Sequence, residues 1–226
     1  MKNLAKYIDQ TLLTQDVTKK DIVKFCEEAK KYEFYAVCVQ PNRVADAYEV
    51  LKESNVKIAA VAGFPCGATF TEVKLKEAEL CLENGANEID MVLNIGALRE
   101  KNLGLVKSDV QALAELTKAN NALLKVIIET GLLTEEEKVL ACKISAEAGA
   151  DFVKTSTGMT KNSKPATVED VKLMYDTVNH LGVKVKASGG VKDFKTAKFM
   201  IAAGASRIGT SSGAQIVSHQ VSTADY

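Results

Sequence analysis

Short apolar runs alternate with longer segments of helical periodicity along the whole chain. Eight runs have the length and composition of strands: YIDQT, FYAVCVQ, VKIAAVAGF, NEIDMVLN, ALLKVIIET, DFVKTST, VKVKAS and SRIGTS. Strands that are mostly rich in Val, Ile and Ala and are separated by helices are typical of a parallel sheet covered on both faces. Eight such units predict an α/β fold, a TIM (β/α)8 barrel. We interpret residues 1–226 as one domain, with a tail from about residue 214 that could be flexible.

Helix-boundary signals separate the apolar runs. Four threonines are followed three positions later by an acidic residue, the spacing of a capping box or a related cap: Thr18, Thr69, Thr134 and Thr167. At the other end of the helical segments, Gly85, Gly149 and Gly204 each precede a strand. Glycine at that position supplies the left-handed turn that ends a helix.

Polar residues recur at a similar distance after these glycines. Asp90, Lys154 and Gly209 each come five residues after one of them, and Lys186 comes four residues after Gly182. A similar offset from the helix end predicts that the four residues lie toward the same end of their strands. In a barrel, the carboxyl end of each strand opens on the face where active sites are built.

Composition argues against several classes of protein. Lys+Arg and Asp+Glu are equal at 29 each, so no basic surplus suggests a nucleic-acid or anionic-membrane partner. The five cysteines include no C-x-x-C pair, and neither His180 nor His219 stands in a ligand-like cluster, so a metal is not expected. The start MKNLAKYIDQ lacks the apolar region of a signal peptide, and no apolar run has membrane-spanning length, which predicts a cytoplasmic protein.

Lys154 and Lys186 suggest carbonyl chemistry. An unprotonated lysine amine can attack a carbonyl to form a Schiff base, but an ordinary lysine, with a pKa of about 10.4, is almost wholly charged at neutral pH. Burial and a neighbouring positive charge bring catalytic lysines into the range of about 7–8. We therefore expect Lys186 to favour the neutral amine of Lys154 by repulsion. The alternative is that both are strand-end lysines that reach solvent or pair with acids.

Asp90 stands among apolar residues, where a carboxylate needs a cationic or hydrogen-bonding partner. The two lysines could be that partner, and Asp90 could relay protons through a water molecule; a structural acceptor is the alternative. Lys125 and Lys184 stand nearer the beginnings of their strands, and we interpret both as structural. Cys38, on a predicted strand, is interpreted as a small buried residue, with an approach to the site as the alternative.

Glycine-rich turns, ASGGVKD and RIGTSSGAQ, follow the seventh and eighth predicted strands. Their backbone N–H groups, with the hydroxyls of Ser211 and Ser212, suit a phosphate dianion. The last two strands of a barrel are its usual phosphate site. Lys192 or Arg207 could add positive charge there, and either could equally be a surface residue.

Taken together, seven motifs resemble those of the deoxyribose-phosphate aldolase family: IDQTLL, FPCGA, NEIDMVLNIGAL, LLKVIIETGLL, FVKTSTG, VKASGGV and RIGTSSG. The resemblance runs from about residue 4 to about residue 213. It implies a class I aldolase that reversibly cleaves 2-deoxy-D-ribose 5-phosphate into acetaldehyde and D-glyceraldehyde 3-phosphate through a lysine Schiff base. It implies a role in deoxyribonucleotide catabolism, small sugar phosphates and aldehydes as partners, and no metal or other cofactor. It is compatible with a homodimer.

The resemblance also implies roles for individual residues. Lys154 of FVKTSTG is the Schiff-base nucleophile, Lys186 of VKASGG is the activating lysine and a proton relay, and Asp90 of EIDMV is a proton relay. Phosphate binding falls on the following residues: Gly158, Gly189, Gly190, Gly209, Ser211 and Ser212.

Two positions stay open within this resemblance. The first motif often reads IDHTLL in the family, and here Gln10 replaces the histidine while Asp9 is retained, which could alter hydrogen bonding around the site. Some members end in a tyrosine that assists proton transfer. Tyr226 could serve that role, or it could be a chain end without a function.

Three other functions share parts of this pattern. Another Schiff-base aldolase, acting on a different sugar phosphate, would share the lysine and the phosphate turns. A barrel isomerase or synthase would bind phosphate without a covalent imine. A non-catalytic sugar-phosphate binding protein would keep the turns and need no neutral lysine.

Overall fold

A closed barrel of eight parallel strands, in sequence order, forms the centre of the molecule. The computed structural model describes residues 4–160 and 165–219. The strands β1 to β8 are Ile8–Leu12, Ala36–Val39, Lys57–Ala62, Glu88–Val92, Leu123–Ile127, Phe152–Lys154, Lys184–Ser188 and Ala205–Thr210. Each strand pairs with the next, and β8 pairs with β1. The predicted TIM barrel is confirmed.

Helices surround the barrel and connect its strands. Helices α1 to α9 are Lys19–Lys31, Val44–Leu51, Thr71–Glu83, Ile95–Arg99, Leu103–Ala119, Glu135–Glu147, Val168–Val178, Phe194–Ala202 and Gly213–Val217. In the described part of the chain, none is long and apolar enough to cross a membrane. The tail predicted from about residue 214 overlaps α9, and Tyr226 lies outside the described residues, so the domain boundaries stay a prediction.

Threonines begin several of these helices. Thr18 and Thr134 form complete capping boxes at the starts of α1 and α6, and the Thr167 hydroxyl accepts a backbone hydrogen bond at the start of α7. Each such cap stabilises a helix by about 1 kcal/mol. The capping box predicted at Thr69 is wrong, because α3 begins two residues later and its N-cap, Phe70, has no side-chain acceptor.

Side chains on the strands alternate between two environments. Apolar residues such as Ile89, Val126 and Val185 belong to the main core, which is shared with the helices. The other face of each strand points into the barrel, where a small apolar cluster lies beside a set of buried charged residues: Asp9, Glu88, Asp90, Lys125, Lys154, Lys186 and Arg207. Barrel interiors are usually filled by layers of branched aliphatic side chains. Here charged groups occupy much of that space, so they must compensate one another.

The glycines predicted to end helices have left-handed backbone conformations. Gly85, Gly149 and Gly204 have φ of 102°, 97° and 114°, and Gly182 has φ of 80°. At Gly204 a Cβ would lie 2.3 Å from Cγ of Tyr175, whereas at Gly182 it would meet nothing within 4 Å. The two positions therefore separate backbone strain from steric overlap.

This difference predicts unequal costs for two alanine substitutions. Gly182→Ala should lower the free energy of unfolding by about 1–2 kcal/mol, the cost of a left-handed residue with a Cβ. Gly204→Ala should cost about 1–3 kcal/mol more, because the ring of Tyr175 must also move. Urea unfolding of both variants measures the two costs, and equal losses would contradict the steric argument.

Candidate active site

The three residues predicted to perform the chemistry lie together inside the barrel. Lys154 Nζ donates a hydrogen bond to Asp90 Oδ2 over 2.8 Å, and Lys186 Nζ donates to the same oxygen over 2.9 Å. The register explains the convergence, because Lys154 on β6 is paired with Lys186 on β7. The side chain of Lys154 is 3% exposed and those of Asp90 and Lys186 are fully buried. Both lysines therefore pair with an acid inside the barrel, and neither reaches bulk solvent.

Asp9 is the second acid that contacts this group. Its Oδ2 lies 2.5 Å from Lys186 Nζ, and its Oδ1 accepts a hydrogen bond from Arg207. Asp9 is on β1, two strands from β7 around the closed barrel, so these contacts form across the interior. Asp9, which is retained in the first motif of the family resemblance and is a possible site residue, thus contacts the same lysine as Asp90.

Three further charged residues complete the cluster, and the sequence reasoning did not identify them as part of it. Lys125 Nζ lies 2.6 Å from Asp90 Oδ1 and 2.6 Å from Glu88 Oε2. Arg207 Nη2 donates to Glu88 Oε1 over 2.6 Å, and its guanidinium lies 3.3 Å from the ring centroid of Tyr35. Lys125 is therefore an acid-paired lysine at the centre of the barrel. The placement of Arg207 at a phosphate turn or on the surface is wrong, because it is buried beneath the site.

A signal for these residues is present in the sequence. Side chains two positions apart on a strand face the same side. Glu88 stands two residues before Asp90, and Arg207 stands two residues before Gly209. Once Asp90 is placed inside a barrel, the same alternation places Glu88 there as well.

The charges of the cluster balance only when one cation is neutral. Three carboxylates, Asp9, Glu88 and Asp90, face four basic side chains, Lys125, Lys154, Lys186 and Arg207. Lys125, Lys186 and Arg207 each lie within 4.0 Å of at least two carboxylates. In the described part of the chain, Lys154 has an ion pair with Asp90 alone. Among the described basic groups of the cluster, Lys154 is therefore the one with the fewest acid contacts.

Neighbouring charges fix the ionisation of the other members. Burial alone would lower the pKa of Lys186, but the carboxylates of Asp9 and Asp90 outweigh burial and raise it. Burial would likewise raise the pKa of Asp90, but the three lysines hold it well below its usual range. The positive charge of Lys186 thus lies beside the amine of Lys154, because both nitrogens contact the same oxygen of Asp90.

Cys38 is both a small buried residue and a neighbour of the site. Its Sγ lies 4.0 Å from Asp90 Oδ2. Burial raises the pKa of its thiol, and the charge of Asp90 raises it further. The thiol is therefore neutral at ordinary pH and adds no charge to the cluster.

The residues expected to bind phosphate lie in connections beyond the carboxyl ends of the strands, with one exception. Gly158 follows β6, Gly189 and Gly190 follow β7, and Ser211 and Ser212 lie between β8 and α9. Gly209 lies within β8 itself, where an added Cβ would be 3.0 Å from Lys186 Cε. The missing side chain of Gly209 makes room for Lys186, whereas its assignment to phosphate stays untested.

Gln10 connects β1 to the turn after β8. Its Oε1 accepts a hydrogen bond from the backbone N–H of Gly213 over 2.9 Å, and its Nε2 donates to Glu28 and to the carbonyl oxygen of Ser211. Successive strand residues face opposite sides, so Gln10 points away from the cluster that contains Asp9. The replacement at this position therefore affects the candidate phosphate turn and does not touch the reacting amine.

Glu129 holds the loop that follows Lys154. Its carboxylate accepts hydrogen bonds from the backbone N–H and the hydroxyl of Thr157 and from the hydroxyl of Thr160. Glu129 is buried and has a left-handed backbone conformation, with φ of 53°. This anchor was not predicted from the sequence, because it depends on the spatial adjacency of the loops after β5 and β6.

A cavity of about 330 Å³ opens at the carboxyl side of β1, β2 and β3. Residues after those strands line it together with one from the loop after β6, and they include Thr14, Gln40, Phe64 and Met159. Cavities of this size accommodate small ligands. The cavity therefore lies at the same face of the barrel as the candidate phosphate turns.

Within residues 4–160 and 165–219, no group of three or more His, Cys, Asp or Glu could hold a metal ion. The three interior carboxylates are occupied by basic side chains. His219 packs against Phe194, with ring centroids 4.0 Å apart.

Comparisons with known proteins identify a family with this architecture. The family model described as DeoC/LacD family aldolase matches residues 3–219. The chain is similar to a deoxyribose-phosphate aldolase of Geobacillus sp. (strain WCH70), with 54% identity over 224 residues and 99% of each chain covered. It is also similar to a deoxyribose-phosphate aldolase of Thermococcus kodakarensis, with 55% identity over 219 residues and 96% of each chain covered. A solved structure described as a unique tetrameric structure of deoxyribose phosphate aldolase from Aeropyrum pernix has a TM-score of 0.89 and 35% identity, covering 95% of this chain and 89% of that chain.

The pKa of Asp9 predicts a pH dependence of stability. Burial alone would raise this pKa, but the adjacent lysines and Arg207 outweigh burial and lower it to about 2. An ordinary aspartate has a pKa of about 3.9, so between these values the unfolded chain binds a proton that the folded chain does not. The stability supplied by Asp9 is therefore fully present above about pH 4 and is lost as the pH falls toward about 2.

Asp9→Asn should accordingly flatten the dependence of unfolding free energy on pH in this window, by up to about 1.4 kcal/mol per pH unit. Urea unfolding at several pH values between about 4 and 2.5 measures that slope. Asp16→Asn, which changes an exposed aspartate, is the matched control and should keep the wild-type slope. An Asp9→Asn slope equal to that of the wild type would contradict the ion-pair assignment.

Proposed function

The chain belongs to the DeoC/LacD family of aldolases, and from that premise we propose that it reversibly cleaves 2-deoxy-D-ribose 5-phosphate into acetaldehyde and D-glyceraldehyde 3-phosphate through a Schiff base on Lys154. One observation carries this proposal. A buried lysine, whose ion pair among the described residues is with Asp90 alone, stands beside Lys186, in a cluster whose formal charges balance when one amine is neutral. The names of the similar enzymes support the choice of substrate.

Catalysis begins with attack of the neutral Lys154 amine on the C1 aldehyde of the open-chain sugar phosphate. Loss of water from the resulting carbinolamine gives a protonated imine. As the C3 hydroxyl loses its proton, the electron pair of the C2–C3 bond moves into the imine. Glyceraldehyde 3-phosphate leaves with the new C3 carbonyl, and an enamine of acetaldehyde stays on the lysine. Protonation at C2 and hydrolysis then release acetaldehyde and restore the amine.

Asp90 and Lys186 move protons in this scheme. Lys186, which is charged, supplies a proton to the departing hydroxyl of the carbinolamine. Asp90 stays ionised beside these lysines and is a weak base, so it does not take the C3 proton itself. A water molecule beside Asp90 then accepts the proton of the C3 hydroxyl, with the carboxylate stabilising the positive charge that develops.

Phosphate binding positions the substrate. The turns after β7 and β8 hold the dianion through backbone N–H groups and the hydroxyls of Ser211 and Ser212. Strands β6, β7 and β8 are adjacent, so the reacting amine and the phosphate turns belong to one rigid part of the sheet. Fixing the phosphate at that distance lowers the entropic cost of bringing C1 to the amine.

Other functions receive less support. A Schiff-base aldolase for another sugar phosphate would use the same lysine, and comparing deoxyribose phosphate with fructose bisphosphate and keto acids as substrates separates the two activities. An isomerase or a binding protein would not need the charge arrangement around Lys154. The Aeropyrum pernix enzyme is described as tetrameric, and on that basis we propose self-association for this chain. We also propose a cytoplasmic location, which rests on the sequence. The dimer stays a prediction.

Borohydride reduction in the presence of acetaldehyde tests the nucleophile. We expect a stable ethyl adduct on Lys154, located by peptide mass spectrometry, because borohydride reduces the imine to a secondary amine. Lys154→Ala should lose the adduct and turnover. Lys125→Met, which removes another buried lysine, is the control. Any adduct that this variant forms should be located on Lys154. A consistent adduct at a different lysine, or full turnover in Lys154→Ala, would exclude the assignment.

The phosphate turns can be tested at Ser211, which is exposed and so tolerates substitution. Ser211→Asp places a negative charge beside the proposed dianion and should raise KM for 2-deoxy-D-ribose 5-phosphate by about tenfold or more, the effect of about 1.4 kcal/mol. Cleavage of unphosphorylated 2-deoxy-D-ribose should change much less. Ser211→Asn, similar in size and uncharged, separates charge from bulk. Equal effects on both substrates would place the phosphate elsewhere.

A further inference from the structure

Glu88 and Arg207 form a second layer of the cluster, which we call the floor pair. Arg207 Nη2 lies 2.6 Å from Glu88 Oε1, and both residues are almost completely buried. Glu88 stands two residues before Asp90 on β4, and Arg207 is paired with Lys186 in the sheet. Neither has a contact with Lys154 among the described ion pairs, so the mechanism above gives the floor pair no step to perform.

Stability alone does not explain the floor pair. A buried ion pair is often no more stabilising than well-packed apolar residues of the same volume, because desolvation of the two charges offsets their attraction. Barrels of this type usually fill the interior with Val, Ile and Leu. A glutamate and an arginine at this depth therefore call for a reason beyond packing.

The contacts of the floor pair supply that reason. Arg207 occupies Oδ1 of Asp9, which leaves Oδ2 of Asp9 for Lys186. Glu88 forms an ion pair with Lys125, so the positive charge of Lys125 is shared between Glu88 and Asp90. Each member of the floor pair thus affects how much positive charge lies next to the carboxylate of Asp90, which contacts Lys154.

The charged and titratable groups around Lys154 come from six strands. In the described part of the chain they are Asp9 on β1, Cys38 on β2, Glu88 and Asp90 on β4, Lys125 on β5, Lys186 on β7 and Arg207 on β8. With the thiol neutral, three negative and three positive charges surround the amine. Adding a proton to Lys154 gives this buried cluster a net charge of one, which is costly where few water molecules can solvate it.

We propose that Glu88 and Arg207 are positioning residues that set the pH at which the Lys154 amine becomes reactive. They do so by fixing the interior charge at zero when that amine is neutral. This inference rests on the proposed role of Lys154 as nucleophile. Removing Glu88 should make the interior more positive and favour the neutral amine, whereas removing Arg207 should make it more negative and favour the ammonium. The two substitutions must therefore act in opposite directions.

The permanence of the Arg207 charge supports this role. Burial alone would lower its pKa, but Asp9 and Glu88 outweigh burial and raise it. The guanidinium also lies over the ring of Tyr35, where a cation is favoured. Arg207 therefore keeps its charge over the whole pH range in which borohydride trapping is measured.

The test measures the rate of borohydride-trapped acetaldehyde adduct formation on Lys154 as a function of pH. The readout is the pH at which this rate is half of its plateau. Glu88→Gln should lower this pH and Arg207→Met should raise it. Each shift should be about one pH unit, the order expected for a unit charge that is separated from the Lys154 amine by one other charged side chain. The double variant, Glu88→Gln with Arg207→Met, should return to within about 0.3 unit of the wild type because the two charge changes cancel.

Matched controls separate charge from structural damage. Arg207→Lys keeps the charge and should leave the half-rate pH in place, even if the plateau falls. Lys184→Met removes a positive charge from the exposed start of β7 and should shift nothing. Shifts in the same direction for both single variants, no shift in either, or an equal shift in Lys184→Met would overturn the proposal. If one single variant does not fold, the other single variant decides, and an unshifted half-rate pH in that variant rejects the proposal.

The same experiment separates this inference from the proposed function. If the wild type forms no adduct on Lys154, the nucleophile is wrong, and the role of the floor pair fails with it. If the wild type and the variants form the adduct but their half-rate pH values coincide, the nucleophile stands and only the floor pair is refuted.

Discussion

The structure depends on compensating seven charged side chains inside a closed barrel. Moving an ion from water into a protein interior costs several kcal/mol, and the cost is offset only where an opposite charge and hydrogen bonds replace the lost hydration. Asp90 is the centre of this compensation, because it accepts hydrogen bonds from Lys125, Lys154 and Lys186. No cation of the cluster can change its charge without affecting the others. This coupling makes one of four basic groups chemically distinct.

The fold creates the coupling through register and alternation. Parallel strands of a barrel place paired residues in adjacent positions, so that Asp90 faces Lys125 on β5 and Lys154 faces Lys186 on β7. Closure of the barrel then brings β4 within reach of β7 and β8, which are far from it in the chain. Ordinary apolar packing on the outer faces of the same strands holds this arrangement. The buried ions are therefore positioned by the hydrophobic core around them.

These two sources of order explain what could be predicted from the sequence. The barrel, its eight strands and the convergence of Asp90, Lys154 and Lys186 follow from local patterns, because apolar periodicity and helix-ending glycines are local. Arg207 was misjudged, since a basic residue away from the end of a strand looks like one that reaches solvent. Lys125 is structural and paired with acids, as interpreted, but its place in the cluster was not foreseen. Only closure of the barrel shows that Arg207 lies across from Glu88. The contacts of Gln10 with the turn after β8 were hidden for the same reason.

Strand β8 links the two halves of the site. Its Arg207 belongs to the charge cluster, its Gly209 leaves space for Lys186, and its end leads into the turn that carries Ser211. A side chain introduced at Gly209 would be in close contact with Lys186 and would displace the turn that follows β8 at the same time. The proposed phosphate turn and the position of Lys186 therefore depend on the same short stretch of backbone. Because a strand is stiff along its length, the sheet sets the distance between the start of the turn that carries Ser211 and the amine of Lys154.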